Sequence, residues 1–408
     1  MRAFTEPLTQ LQGYEELEQA VQKTEGVILV SGCIDAVKPH IVYSVHNGSG
    51  NRIIVTFHEQ KAKELLEEYR FFDKNVAYYP AKDILFYQSD IRGNVLTSER
   101  INALKMMAEE KECTIITTFD GLMNPMPAPE KFIQAVKKIS VGDTVELNGL
   151  TRHLVELGYE KNYQAETMGE FSVRGGIIDI FPLTEETPFR IELWGDEVDS
   201  IRSFDPESQR SIEKIERFEA FPATECLLSE EEIARGREKL QEELAGQLTA
   251  FGNDKKKKTA EDIEKCNRIR RNVADMERTG DYSKALRMFA EELTGFLSYF
   301  PREDTLFVLD EPNRLNERME LILYEYTESM KNRLEGGYIL PGQTDMIHGI
   351  ESIYAGLEKK RTLLLSALDY KPEKFAVAEY VRIDTRSISP YHNSFEYLAD
   401  DLKKYKRS

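Results

Sequence analysis

Six short apolar runs, set between helical stretches, constrain this chain more than anything else in it. Val27-Ile28-Leu29-Val30, Arg52-Ile53-Ile54-Val55-Thr56, Val76-Ala77-Tyr78-Tyr79 and Thr114-Ile115-Ile116-Thr117-Thr118 read as strands. Helical stretches from Glu59 to Tyr69 and from Ser98 to Glu110 separate them. Runs that are apolar on both faces and joined by helical crossovers predict a parallel sheet covered on both sides. Strand signals return far downstream, at Thr305-Leu306-Phe307-Val308-Leu309 and at Arg361-Thr362-Leu363-Leu364-Leu365, and would complete the same sheet.

Between the two groups the pattern changes. The segment Asn124-Pro125-Met126-Pro127-Ala128-Pro129 cannot continue a helix or a central strand, so a domain boundary falls there. From about Phe132 to Phe218 helices give way to short alternating strands, with turns at Gly175-Gly176 and Gly195-Asp196, as in a small α+β domain. After Phe221-Pro222 the chain is helical and charged from Ser229 to Glu292. A length of 408 residues suits roughly two to four domains. The division expected is an α/β domain, first part, over 1–126, the α+β domain over 127–218, and the second part of the α/β domain with a helical insertion over 219–385. A linker and the first helix of a further domain take 386–408. That helix puts Phe395, Leu398 and Leu402 on one side and stops without a following strand, as expected of a piece of something longer.

The formal charge of −18 opposes non-specific attachment to nucleic acid, whose phosphates select surfaces rich in Lys and Arg. The local exceptions are Lys255 to Lys258, read as a solvated loop, and Lys403-Lys404-Tyr405-Lys406-Arg407; a DNA-binding domain built on them would show steeply salt-dependent affinity. Cys33, Cys113, Cys226 and Cys266 have no metal-ligand spacing and read as buried or free thiols, and no metal site is expected. The N-terminus lacks a secretory pattern and no apolar run approaches the ~20 residues of a membrane span. A soluble, cytoplasmic protein without a membrane partner is expected.

The turn after the first strand is where a phosphate-binding loop would sit. Such a loop needs G-x-x-x-x-G-K-[ST], whose backbone N–H groups and Lys cradle phosphates while the hydroxyl holds magnesium. Here it reads Gly32-Cys33-Ile34-Asp35-Ala36-Val37-Lys38-Pro39. Gly32 and Lys38 keep their spacing, but Val37 replaces the second glycine, Pro39 removes the hydroxyl and a donor, and Asp35 adds negative charge. An ordinary strand-to-helix turn is the favoured reading. The strand from Leu306 ends in Asp310-Glu311, where motor ATPases keep a magnesium-holding Asp and an acidic neighbour. Without a working loop opposite, the pair reads as acidic residues placed at the N-terminus of the next helix, Arg314 to Glu328.

The strand Phe189-Arg190-Ile191-Glu192-Leu193-Trp194 has period two, so Phe189, Ile191 and Leu193 share one face and Arg190, Glu192 and Trp194 the other. Arg and Trp on the open face of a strand suit an interface anchor; an edge tryptophan over a small core is the alternative.

The run Arg174-Gly175-Gly176-Ile177-Ile178-Asp179-Ile180-Phe181-Pro182, with Arg190-Ile191-Glu192, Gly195-Asp196-Glu197, Ile201-Arg202, Phe204-Asp205 and Gln209-Arg210-Ser211, resembles the UvrA-binding domain shared by UvrB and the transcription-repair coupling factors. A shorter likeness to UvrB joins Leu297-Ser298-Tyr299-Phe300-Pro301 to Val308-Leu309-Asp310-Glu311. The changes at Val37 and Pro39, and the short path from Asp83 to Gly93 where UvrB has a DNA-binding hairpin, favour the coupling factors. The resemblance implies a degenerate UvrB-like parallel-sheet domain with an inserted UvrA-binding domain, in which Arg174, Arg190 and Trp194 contact UvrA, Trp194 standing where relatives commonly have Phe. It also implies a motor using ATP and magnesium outside this chain, contacts to RNA polymerase and DNA through that missing part, and masking of the UvrA face by a C-terminal domain. The chain itself is then a non-catalytic recruitment module without a cofactor. The alternative is a UvrB-like repair ATPase or helicase using Lys38, Asp310 and Glu311.

Overall fold

The structure is a computed structural model and describes residues 5–45, 50–82, 93–109, 112–253, 259–300, 304–386 and 394–406. Among these, seven parallel strands form the main sheet, in the order Val377–Arg382, Val27–Ser31, Thr362–Leu365, Leu306–Asp310, Arg52–Thr56, Thr114–Thr118, Val76–Tyr79. Alternate residues of each strand enter two separate cores. Ile53, Val55, Ile115, Phe307 and Leu309 pack with Leu315, Met319 and Tyr354 on one side. Ile28, Val30, Ile54, Ile116 and Val308 pack with Leu17, Ile41, Leu65 and Tyr69 on the other. The apolar runs are therefore buried on both faces, as their composition requires.

Three elements differ from the expectation. The helix expected to start at Ser98 starts at Gly93 and ends at Ala108, and the one expected over Arg314 to Glu328 runs from Pro312 to Glu335. The edge strand Val377–Arg382 was not anticipated. Of its residues only Val381 is buried, so it carries no apolar run.

The small domain is a six-stranded sheet in the order Ser211–Ile215, Glu197–Phe204, Phe189–Trp194, Ile177–Ile180, Glu170–Arg174, Glu160–Lys161. Neighbours are antiparallel except the last pair. Its inner face, with Phe171, Ile178, Ile180, Ile191 and Ile201, shares a core with Leu150 and Leu154 of the helix Leu147–Glu156. No helix is needed on the outer face because its residues are mostly polar, with Ile177 and Trp194 as apolar exceptions, the alternation expected of a half-solvated antiparallel sheet.

The two domains are joined by packing as well as by chain. Phe132, Leu183 and Phe221 lie in the main-domain core. Arg100, on the helix Gly93–Ala108, donates from Nε and Nη2 to the two carboxylate oxygens of Glu225 at 2.5 and 3.0 Å, and Lys82 Nζ reaches the same carboxylate at 2.6 Å. Arg100 also donates to the Pro80 carbonyl, to the Tyr79 hydroxyl and, at 3.2 Å, to Asn124 Oδ1. Burial pushes the Glu225 carboxyl up, but Arg100 and Lys82 outweigh it and hold it down at about 2. The helical insertion is a pair, Glu230–Asn253 and Ala260–Thr279, closed over Leu240, Ile269, Val273 and Phe289. Lys255 to Lys258, Asp83 to Arg92 and Arg407 lie outside the described residues. Among the described residues, no helix is long and apolar enough to cross a membrane. The four cysteines are unpaired, and burial pushes Cys33, Cys113 and Cys226 up to about 12, so they are poor nucleophiles.

Candidate functional site: a polar sheet face and a sealed cleft

The outer face of the small sheet is built by strand alternation. Arg190 stands opposite Asp179, and Asp179 opposite Ser172, so Arg174, Asp179, Arg190 and Glu192 project together. Arg190 grips Asp179 with two parallel bonds, Nε to Oδ1 at 2.7 Å and Nη2 to Oδ2 at 2.9 Å. Arg174 Nη2 joins the same Oδ2 at 2.7 Å. Arg190 Nη2 also donates to Gln209 Oε1 at 2.8 Å, and its guanidinium lies 4.4 Å from the Phe204 ring centroid, a cation–π distance. One register step along, Arg202 pairs with Glu192, which also accepts from Ser200 at 2.9 Å. Trp194 closes the hairpin at the end of this row, opposite Glu197, and is 83% exposed.

Gly176 makes the neighbouring turn possible. A Cβ there would come within 2.9 Å of the Leu193 carbonyl oxygen, and Leu193 N–H donates to the Gly176 carbonyl at 2.8 Å. The Gly175-Gly176 turn therefore packs against the strand that presents Trp194.

The expected face is thus present, with one change. Arginines that meet a partner need open donors, yet the structure engages the Arg190 fork internally with Asp179. Arg190 is 16% exposed and Arg174 37%, so Arg174 and Trp194 carry most of the accessible surface. Glu192 shares the face by alternation, and Asp179, Arg202 and Gln209 belong to the motif, but the sequence alone assigns none of the four a role. Asp179 had a signal: a charge between Ile178 and Ile180 in a central strand needs a buried partner.

The second cluster lies at the C-terminal ends of the main-sheet strands. Lys38 opens the short helix Lys38–Ser44, with Pro39 in the first turn where its missing N–H costs nothing. Its ammonium, 3% exposed, donates to Asp35 Oδ1 at 2.7 Å, Asp310 Oδ1 at 2.7 Å and Glu311 Oε1 at 2.6 Å, which uses all three of its hydrogens. Lys61 reaches the other Asp35 oxygen at 3.1 Å, Thr56 donates to Asp310 Oδ2 at 3.0 Å, and Ala367 N–H donates to Glu311 Oε1 at 2.9 Å. Burial alone would depress the Lys38 ammonium; Asp310, Asp35 and Glu311 outweigh it and hold it well above its ordinary value. Burial pushes Asp35 up, but Lys38 and Lys61 together hold it below the usual carboxylate range.

Asp310 and Glu311 do stand at the N-terminus of the next helix, but their carboxylates do not cap it. Glu311 precedes the helix Pro312–Glu335 in a left-handed conformation, φ +52°, and makes no capping bond. Both carboxylates instead clamp Lys38 across the sheet. One oxygen each of Asp35, Asp310 and Glu311 lie within 4.8 Å of one another, a spacing that would suit a cation, and the Lys38 ammonium binds an oxygen of each. Gly32 lets the edge of the sheet approach closely. Its φ is +78°, and a Cβ there would stand 2.1 Å from the Ile383 carbonyl oxygen on the edge strand's continuation.

The UvrB interaction domain family matches residues 138–226, which are the small sheet, its covering helix and the return to the main domain. The molecule is therefore a UvrB-like parallel-sheet domain with a UvrB interaction domain inserted in it. Over 337 residues the chain is 31% identical to the transcription-repair-coupling factor of Bacillus subtilis (strain 168), covering 82% of this chain and 28% of the relative. It is 30% identical over 330 residues to the transcription-repair-coupling factor of Staphylococcus aureus (strain NCTC 8325 / PS 47), covering 78% of this chain and 27% of that one. The chain is a UvrB-like module of the transcription-repair-coupling factor family, and it spans little more than a quarter of the length of these relatives.

Proposed function

We propose that this chain is the recruitment module of a transcription-repair coupling factor, that it binds UvrA through the outer face of the small sheet, and that it has no catalytic role of its own. The observation that carries the reading is Trp194, a large apolar side chain left exposed beside Arg174, Arg190 and the Glu192–Arg202 pair, inside the part of the chain that matches the UvrB interaction domain. Interfaces concentrate their binding energy in such aromatic and arginine anchors. Contacts to RNA polymerase and DNA, the ATP- and magnesium-dependent motor, and the masking of this face by a C-terminal domain belong in this reading to the rest of the protein, in the cytoplasm.

The test is the affinity of purified UvrA for chains carrying Trp194→Ala, Arg174→Ala or Arg190→Ala, each expected to lose roughly 1–4 kcal/mol. Wild-type affinity in all three would sink the assignment. The competing reading, a UvrB-like ATPase, requires Lys38 to reach phosphates. Its ammonium is held by three carboxylates, which supports the non-catalytic reading. Saturable ATP binding with magnesium would restore the ATPase.

A further inference from the structure

Arg174 and Arg190 are like charges on one face, and one buried carboxylate holds them together. Asp179, 2% exposed, accepts three donors, two from Arg190 and one from Arg174, so both of its oxygens are occupied and it offers nothing to a partner. Arg190 commits Nε and Nη2 to Asp179 and Gln209, leaving the Nη1 pair; Arg174 commits only Nη2. Gln209 supplies a second, independent observation. It sits at φ +59°, a left-handed conformation costly for a side chain of this kind, and such strain persists only where the surroundings over-determine it. Its backbone N–H is tied to the Asp205 carbonyl at 2.8 Å and its side-chain N–H to the Pro206 carbonyl at 2.8 Å, which aims its Oε1 at Arg190.

We propose that Asp179 and Gln209 are positioning residues of this face: they fix the two guanidinium groups side by side in the free protein, so that the remaining donors form a preorganised double-cation patch for a partner carboxylate. The inference rests on the reading of this face as the UvrA-binding surface. Preorganisation lowers the ordering cost of association, so its loss weakens binding without removing any group that touches the partner.

The experiment measures the affinity of purified UvrA for the full 408-residue chain carrying Asp179→Asn or Gln209→Gly, alongside thermal melting. Asp179→Asn replaces a charged acceptor with an amide, and should weaken binding about tenfold. Gln209→Gly deletes the Arg190 acceptor but relieves the backbone, so binding should weaken about threefold while the melting temperature holds or rises. This pairing of outcomes cannot come from a merely structural role. In an Arg174→Ala/Arg190→Ala background, Asp179→Asn should cause no further loss, whereas Trp194→Ala still should. If Trp194→Ala weakens binding while Asp179→Asn and Gln209→Gly bind as wild type, the positioning role is wrong and the face stands. If Trp194→Ala, Arg174→Ala and Arg190→Ala all bind as wild type, the face itself is wrong.

Discussion

Replacing Lys38 with methionine tests the sealed cleft most directly. Methionine keeps most of the stem that packs inside the fold and removes only the ammonium. Three charge-assisted bonds disappear, and Asp310, 2% exposed, is left with Thr56 as its remaining donor, while Glu311 keeps Ala367 N–H. Removing one partner of a buried ion pair costs about 3–5 kcal/mol, because the other charge stays buried without compensation. The pH dependence follows from the two shifted groups. Lys38 is raised in the folded state, so its contribution is fully present below its ordinary value of 10.5 and is lost only as pH rises beyond that. Asp35 is lowered, so its contribution is present above its ordinary value of 3.8 and is lost as pH falls through and below it. The deficit of the variant should therefore be flat from about pH 5 to 9 and shrink in acid. Urea unfolding followed by far-ultraviolet circular dichroism measures it. Adding Asp310→Asn to the variant removes the stranded charge and should restore at least about 1 kcal/mol. A deficit under about 1 kcal/mol, or an Asp310→Asn change that adds to the loss, would refute the clamp.

Gly32→Ala places a methyl 2.1 Å from the Ile383 carbonyl oxygen at φ +78°, and should cost about 3 kcal/mol or detach the edge strand, read as a lower melting temperature and faster amide exchange over 377–383. Glu225→Gln should flatten the acid side of the stability profile: the wild-type carboxyl, lowered from 4.5 to about 2, loses its contribution as pH falls through that window, and the amide has no such loss. A pH titration of the urea midpoint for both chains decides it.

The main sheet was legible because its strands are buried on both faces, which leaves unbroken apolar runs such as Ile53 to Val55 and Leu306 to Leu309. The edge strand Val377–Arg382 was not, because an edge with one side open needs only Val381 and Ile383 inside and reads as a loop. The alternation of Phe189 to Trp194 puts Arg190, Glu192 and Trp194 on one side of the strand, and the pairing with its neighbours follows that alternation. Motif position sets Lys38, Asp310 and Glu311 in one site, but the residues do not show that the ammonium is bound directly by the carboxylates. Lys38 and Asp310 stand 272 positions apart, and the sheet order brings their strand ends together. Asp179 and Arg190 are close in sequence, but the sequence shows a charge on each strand without showing that the two neutralise one another rather than a partner.

The Arg100–Glu225 bond and the packing of Leu183 and Phe221 into the main core bear on how this domain can be inherited or transplanted. A segment cut at 138 and 226 would carry away a buried carboxylate without its guanidinium and expose two large apolar side chains that its own small core does not cover. The insertion is thus not a cassette. A lineage that moves it must move Arg100 and its surroundings as well, or rewrite Glu225, so the two domains are expected to change sequence together along this seam.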